Sequence, residues 1–512
     1  MNSPSPDHPS APAVDVAIVG YGPTGALLAN LLGQAGLSVL VFEREATIYE
    51  LPRAVHFDGE VMRIFQSAGL AEQVAAVARA SSKGMHFVNG SGQTLLIRRG
   101  APGPGSQAWA NNWYFHQPTL ERVLRAGVKR FAKVQVKLFH EVFAIEQNDT
   151  HTILHVENQV DASQQQYRAR YVVGCDGARS LVRQLIDPAV QDFGLHQPWL
   201  VVDLLTDRRS ARVQSLPDYS IQWCDPARPM TLVYVAGERR RWEIMLLPGD
   251  DPAQLQRPEH FWPLLARWLR PNDAIIERAA VYTFHAVLAE SWRDRRLLLA
   301  GDSCHQTPPF LGQGMGAGLR DAANLAWKLA LVLQNRAAET LLDSYPAERR
   351  PHVQAFIELA VQLGQLIQTT DPAQAAARDQ RFAAEHPQLF DFPQPALGPG
   401  LHSGAPPPVA TLLPQPRLAD GQLLDEVSGG RFTVIGNSAL LQAVDSATRQ
   451  RWRALEAVVI DQPGNTLDAW LEEQQAQALI LRPDRYILGL AGTAAELIAL
   501  SRLLPAVGCD PV

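Results

Sequence analysis

The segment Gly20-Tyr21-Gly22-Pro23-Thr24-Gly25 follows directly on the apolar run Val14–Val19, and a second run from Ser38 to Phe42 ends on Glu43. This order of apolar run, glycine turn, helix and acid-terminated run predicts the opening βαβ unit of a dinucleotide-binding α/β domain. Each glycine answers a different steric demand. Gly20 allows a tight turn, Gly22 lets backbone approach a pyrophosphate, and Gly25 lets the helix that starts at Pro23 pack on the sheet. The N–H groups at the helix start would face phosphate oxygens, with the Thr24 hydroxyl as a further donor. Glu43 is placed to accept hydrogen bonds from ribose hydroxyls, and its charge disfavours a 2′-phosphate. FAD or NAD is therefore expected in this site rather than NADP.

A chain of 512 residues is too long for one compact core and implies two or three domains. Its net charge of −6, with no basic stripe, argues against a nucleic-acid partner. The short runs Arg239-Arg240-Arg241 and Arg293 to Arg296 read as solvated turns. Cys175, Cys224, Cys304 and Cys509 form no C-x-x-C pair, so neither a zinc knuckle nor a redox dithiol is indicated, and no spacing of histidines suggests a metal. Residues 1–13 read as a Pro/Ser-rich disordered leader without signal-peptide character. No apolar run reaches the roughly 18 residues of a membrane span. A cytoplasmic protein without membrane contact is expected.

Strand-like and helix-like segments alternate over 14–192 and again over 283–370, which predicts one α/β domain in two pieces. Between them, 193–282 contains runs such as Trp199–Asp203, Thr231–Val235 and Trp242–Leu247 separated by turns, the pattern of an inserted antiparallel sheet. Residues 371–415 are expected to form a surface linker, dense in proline and glycine from Pro387 to Pro416. Four short apolar runs between helix-like stretches then predict a small α/β domain over 416–512.

Three separated motifs coincide with this organisation. They are the Gly20 to Glu43 fingerprint, the stretch Tyr171 to Arg183 containing Gly174-Cys175-Asp176-Gly177, and Leu298-Leu299-Ala300-Gly301-Asp302-Ser303-Cys304-His305. Together they resemble the single-component FAD-dependent aromatic hydroxylases, the flavoprotein monooxygenase group that includes p-hydroxybenzoate and phenol hydroxylases. The chain is most similar to the 3-(3-hydroxyphenyl)propionate hydroxylases. Pro52-Arg53-Ala54, Phe115 to Pro118, Gly312-Gln313-Gly314, Arg320 to Ala330 and Leu481 to Tyr486 sit where that family has counterparts. The resemblance spans nearly the whole chain. It implies a Rossmann-like FAD-binding domain, an inserted antiparallel-sheet substrate domain and a redox-inactive thioredoxin-like C-terminal domain.

The resemblance also implies roles. Gly20, Gly22, Thr24, Gly25, Glu43, Arg44, Arg53, Gln117, Asp176, Gly301, Asp302, Met315 and Gly316 would contact noncovalently bound FAD. Asp302 would accept from a ribityl hydroxyl, Arg53 and Gln117 would lie near the pyrophosphate and ribityl chain, and 312–318 would bring N–H groups to the isoalloxazine. Asp176-Gly177 and Arg183 would serve FAD and the pyridine nucleotide. Pro308 and Pro309 would shape the pocket floor. No catalytic residue is assigned, and His56, His116 and His305 read as structural. The implied reaction uses NADH or NADPH and O2 to hydroxylate a phenolic substrate, ortho to an existing hydroxyl, through a flavin C4a-hydroperoxide. A resorcinol, a chlorophenol or a polyketide quinol is an alternative substrate, a non-turnover flavin scaffold an alternative function, and a homodimer an open assembly.

Overall fold

The computed structural model describes residues 13–50, 53–384, 388–391 and 393–506. The leader expected over 1–13 lies, but for Ala13, outside them, as does Cys509. The apolar run Val14–Val19 forms the central strand of a parallel sheet, paired with Val39–Glu43 on one side and Gln164–Gly174 on the other. Parallel strands Val134–Leu138 and Leu297–Leu299 extend the sheet on either flank. An antiparallel meander of His140–Gln147 and Thr152–Asn158 leads into Gln164–Gly174. Strands covered on both faces need continuous apolar sequence, and Val16 to Val19 and Val39 to Phe42 are buried throughout. Helices Pro23–Gln34 and Gly314–Leu333 pack together on this sheet. In an open parallel sheet, ligands bind beyond the carboxyl ends of the strands. The fingerprint turn, Asp176 and Gly301-Asp302 follow such strand ends, and Glu43 is itself the last residue of one.

A second sheet has nine strands, in the order His305–Gln306, Ala274–Ala289, Val190–Thr206, Arg239–Met245, Met230–Tyr234, Ser220–Cys224, Met85–Asn89, Thr94–Arg98 and Gln388–Phe390. It is antiparallel except where Ser220–Cys224 meets Met85–Asn89 and where Gln388–Phe390 meets Thr94–Arg98. The sheet thus reaches beyond the expected 193–282. Its two longest strands, of 17 and 16 residues, cross both expected boundaries and act as struts from the first domain. The hairpin 85–98 joins because Phe87, Leu95 and Leu96 bury against the core.

The expected linker also differs. It contains helix Pro372–Ala384 and the edge strand Gln388–Phe390, and Arg378 Nη2 ties the helix to Cys224 O at 2.7 Å. Further on, Leu397, Val409, Ala410 and Leu413 are buried in the core of the last domain. Its prolines and glycines hid apolar side chains that needed cover.

The C-terminal domain has a four-stranded sheet in the order Val458–Ile460, Thr433–Gly436, Ala478–Leu481, Ile487–Ala491. The first pair is parallel and the others antiparallel, with two helices, Ser438–Ala443 and Ser446–Ala454, in the connection between Thr433–Gly436 and Val458–Ile460, and another, Ala494–Ser501, closing the fold. This is the thioredoxin-like topology. The free cysteines among the described residues, Cys175, Cys224 and Cys304, all lie outside it.

Candidate active site

The three fingerprint glycines divide their work by contact. A Cβ on Gly20 (φ +99) would stand 2.4 Å from Cys175 O, and one on Gly25 would stand 2.2 Å from Gly20 O. A Cβ on Gly22 would meet nothing within 4 Å. Two glycines are therefore required by protein packing, and only Gly22 opens outward, where backbone can meet a ligand. Helix Pro23–Gln34 has no side-chain cap and no acid in its first turn, so its leading N–H groups suit an external anion. Thr24 Oγ1 lies 2.8 Å and 2.5 Å from where Cβ atoms on Gly301 and Gly318 would be, so the side chain expected to reach a phosphate is wedged between two glycines and packs helix on helix.

Glu43 accepts from Tyr21 N–H at 2.8 Å and Glu45 N–H at 3.0 Å, joining the turn to the second strand while its remaining lone pairs stay available. Arg44 turns outward to Glu45 at 3.5 Å, with its side chain 63% exposed. The opposite wall is set by Gln117, whose Oε1 accepts from both Arg53 N–H and Ala54 N–H at 2.8 Å. Its Nε2 donates to Glu121, whose carboxyl burial pushes up. Pinned in this way, the Arg53 guanidinium comes 4.0 Å from Asp302 Oδ2, across a sequence separation of nearly half the chain. Both side chains remain open to solvent.

Asp176 is held by the turn that follows its own strand. It accepts from Ser180 Oγ at 2.5 Å and Leu181 N–H at 2.7 Å, capping helix Leu181–Ile186, and burial raises its carboxyl. Arg183 donates to Ala178 O at 2.6 Å and Ser303 O at 2.9 Å. These two residues knit the Asp-Gly turn to the Gly301–Ser303 turn.

Pro308 caps the short turn Pro309–Leu311, and Gly312 (φ +66) and Gln313 lead into helix Gly314–Leu333, which again has no side-chain cap and no acid in its first turn. Met315 packs on the core, and a Cβ on Gly316 would lie 2.9 Å from Arg320 Nη1. The sequence reading missed Gln313. It is 1% exposed, its Oε1 accepts from Arg320 Nη1 at 3.0 Å, and its Nε2 has no hydrogen-bond partner among the described residues. A long amide between two glycines of a loop was the available signal.

Arg239 to Arg241 form no solvated turn. Arg241 is buried, donating to Asp203 Oδ1 at 2.7 Å and to Arg53 O at 2.7 Å, while Arg278 Nη2 meets Asp203 Oδ2 at 2.6 Å. A lone Asp203 inside the apolar strand was the sign that such partners exist.

The histidines are held in place. Burial, reinforced by Arg98, pushes His56 down to about 3, and its Nε2 meets Asn112 Oδ1 at 3.1 Å. His116 contacts Thr119 Oγ1 at 2.9 Å and is lowered by burial and Arg239. His305 Nε2 meets Asp321 Oδ2 at 2.7 Å. Cys304, His305 and Asp321 bring ligand-type atoms within 4.8 Å of one another. Burial, however, pushes the Cys304 thiol well up, and Asp321 already accepts from Arg349 at 2.9 Å, so a guanidinium stands where a cation would bind.

A parallel sheet whose carboxyl edge gathers an open glycine turn, two uncapped helix starts and a facing Arg–Asp pair defines a dinucleotide-binding enzyme. Residues 13–360 match the family described as FAD binding domain, and residues 410–504 match the HcaD C-terminal domain. The chain is 36% identical over 511 residues to a "Probable NADH-specific resorcinol 4-hydroxylase" of Rhodococcus jostii, covering 96% of this chain and 95% of that one. It is 33% identical over 549 residues to a 3-(3-hydroxy-phenyl)propionate/3-hydroxycinnamic acid hydroxylase of Klebsiella pneumoniae, covering 98% and 97%. The flavin-dependent monooxygenase PieE, solved with FAD and substrate, shares the fold with TM-score 0.83 at 21% identity, over 97% of this chain and 99% of that one. The chain belongs to the FAD binding domain family and, within it, to the FAD-dependent aromatic-ring monooxygenases. Among the described residues no helix is long and apolar enough to cross a membrane.

Proposed function

We propose that this chain hydroxylates a phenolic ring ortho to an existing hydroxyl, at the expense of NADH and O2. The observation that carries the reading is that the open glycine turn, whose Thr24 packs on Gly301 and Gly318, meets the Arg53–Asp302 pair at the carboxyl edge of one sheet. The residues fit FAD: Gly22 leaves room where a Cβ would fill the cradle, and the buried Gln313 amide holds an unused donor. The backbone at Gly20, Gly22, Thr24 and Gly25 would hold the pyrophosphate, and Glu43 the adenosine ribose. Arg53 and Asp302 would flank the ribityl chain, with Gln117 fixing Arg53. Gln313, Met315 and Gly316 would offer N–H groups to the isoalloxazine, beside Gly301. When bound, FAD supplies the redox chemistry by which electrons from NADH place one atom of O2 on the ring and reduce the other to water.

The protein's part is placement and exclusion of water. The positive end of helix Gly314–Leu333 stabilises negative charge at the loop. Next to Pro308 and Pro309, Phe310 packs on Trp199 at 5.9 Å and Phe284 at 6.5 Å, giving a dry aromatic wall. The names of the relatives support a phenolic substrate, and one of them supports NADH. Position 4 of a 1,3-diol is adjacent to a hydroxyl, which supports ortho attack. Purified protein should carry releasable FAD and oxidise NADH faster with resorcinol or 3-(3-hydroxyphenyl)propionate, with one atom of labelled O2 in the product. If no phenol stimulates NADH oxidation and no product carries label, the hydroxylase reading fails.

A further inference from the structure

Tyr486 packs its ring in the apolar core of the thioredoxin-like domain, while its buried hydroxyl reaches Glu60 and His352 of the FAD-binding domain. Its O–H donates to Glu60 Oε1 at 2.9 Å, and Glu60 Oε2 accepts from Arg320 Nε at 2.6 Å. Arg320 Nη1 in turn donates to Gln313 Oε1 at 3.0 Å. A second branch leaves the same hydroxyl. His352 Nε2 lies 3.4 Å from it, and Arg349 Nη1 donates to His352 Nδ1 at 2.8 Å. Arg349 Nε reaches Asp321 Oδ1 at 2.9 Å, and Asp321 Oδ2 accepts from Gly301 N–H at 3.1 Å.

The directions are self-consistent. Burial, with Arg349 and Arg320 alongside, holds His352 well below its usual range, so the ring is neutral. Accepting at Nδ1 leaves its proton on Nε2, pointing to the tyrosine oxygen. One hydroxyl thus stands at a fork whose ends are Gly301, beside Asp302, and Gln313, the start of the glycine-loop helix. The motif Leu481 to Tyr486 is thereby more than a domain tether, since Arg482 already provides one by pairing with Glu348 at 2.7 Å.

We propose that Tyr486 is a positioning residue for the hydroxylation: from the C-terminal domain, its hydroxyl sets the placement of Gln313 and Gly301, and so how tightly oxygen transfer is coupled to NADH oxidation. This rests on the FAD hydroxylase reading.

The test uses full-length holoenzyme. Tyr486→Phe keeps the ring packing, so its melting point and FAD content should stay near wild type. The visible spectrum of bound FAD should shift, and peroxide released per NADH with saturating phenol should rise roughly threefold or more. Glu60→Gln should uncouple similarly, and the double variant should be no worse than the worse single, since both lie on one path. Arg482→Lys, which weakens the interface outside the path, should lower the melting point while leaving coupling intact. A wild-type spectrum and wild-type coupling in Tyr486→Phe would overturn the proposal, as would equal uncoupling by Arg482→Lys. A wild-type enzyme that hydroxylates no phenol would sink the functional reading instead, while the spectral shift would still report the link.

Discussion

At the scale of single residues, the site separates positions the protein needs from positions a ligand needs. Gly25 and Gly22 are the cleanest contrast. A Cβ on Gly25 would sit 2.2 Å from a backbone carbonyl that cannot move without opening the turn. Gly25→Ala should therefore destabilise apoprotein by about 1–3 kcal/mol, the usual cost of overpacking, as read by urea unfolding. Gly22→Ala meets no protein atom within 4 Å, so its apo stability should lie within about 0.5 kcal/mol of wild type while its FAD affinity falls. Equal effects of the two on the apoprotein would show that Gly22 is not ligand-facing. Glu43→Ala removes a charged acceptor shared by Tyr21 N–H and Glu45 N–H. FAD affinity by titration should fall by the equivalent of about 1.5–3 kcal/mol. Unchanged affinity would reduce Glu43 to a brace for the turn.

At the scale of elements, the strands Val190–Thr206, Arg239–Met245 and Ala274–Ala289 do more than cover a pocket. Asp203 sits between two buried guanidiniums, and Arg241 carries the support on to the backbone of Arg53. Asp203→Ala leaves those charges buried without their carboxylate, a change that typically costs about 3–5 kcal/mol. Urea unfolding should show that loss together with weaker FAD binding, because the Arg53 loop loses its floor. A stable variant with normal FAD affinity would show that the sheet does not support the loop. The same elements mark where sequence was readable. Val14–Glu43 carried its own signals, since propensity, glycine placement and apolar pattern all agree over 30 residues of contiguous chain. The thioredoxin-like strands were legible for the same reason. The nine-stranded sheet was legible over its inserted strands but not at its far edge, which comes from 85–98 and 388–390, because pairing between distant segments leaves no local trace. Asp302 and Arg53 were found through motif resemblance, whereas Gln313 and Arg241 act through burial, which a one-dimensional pattern does not display. Asp176 and Thr24 carry contacts that residue type alone does not display, Asp176 to Ser180 and Leu181 and Thr24 against Gly301 and Gly318.

At the scale of the whole molecule, the domains are joined by buried charge as much as by apolar contact. Arg63 pairs with Asp425 at 2.6 Å, and Glu348 gathers Lys328 at 2.6 Å and Arg482 at 2.7 Å. Burial alone would raise Asp425 and Glu348, but Arg63 with Arg485, and Arg482 with Lys328, outweigh it and hold both carboxyls well below the ordinary range. The sign follows directly. Below about pH 4, where an unfolded carboxylate takes up its proton, the unfolded chain binds more protons than the folded one. The stabilisation is complete at neutral pH and is lost as pH falls toward the folded values. Asp425→Asn should therefore be less stable than wild type at pH 7 and lose less on acidification, as measured by urea midpoints; parallel acid profiles would count against the linkage. The same interface governs truncation. Trp327 and Leu331, on the helix that starts at the glycine loop, pack against the C-terminal core, and Lys328 between them shares the Glu348 carboxylate with Arg482. A chain ending near residue 392 would expose that helix face and strip Arg63 of Asp425. It should be recovered insoluble or without FAD, although every fingerprint residue is present. The full chain, by contrast, should need no added thiol, since Cys509 stands alone in its domain. A soluble truncated protein with wild-type FAD affinity would show that the C-terminal domain is dispensable to the site, and dependence of activity on a thiol reductant would give that domain the redox role its single cysteine argues against.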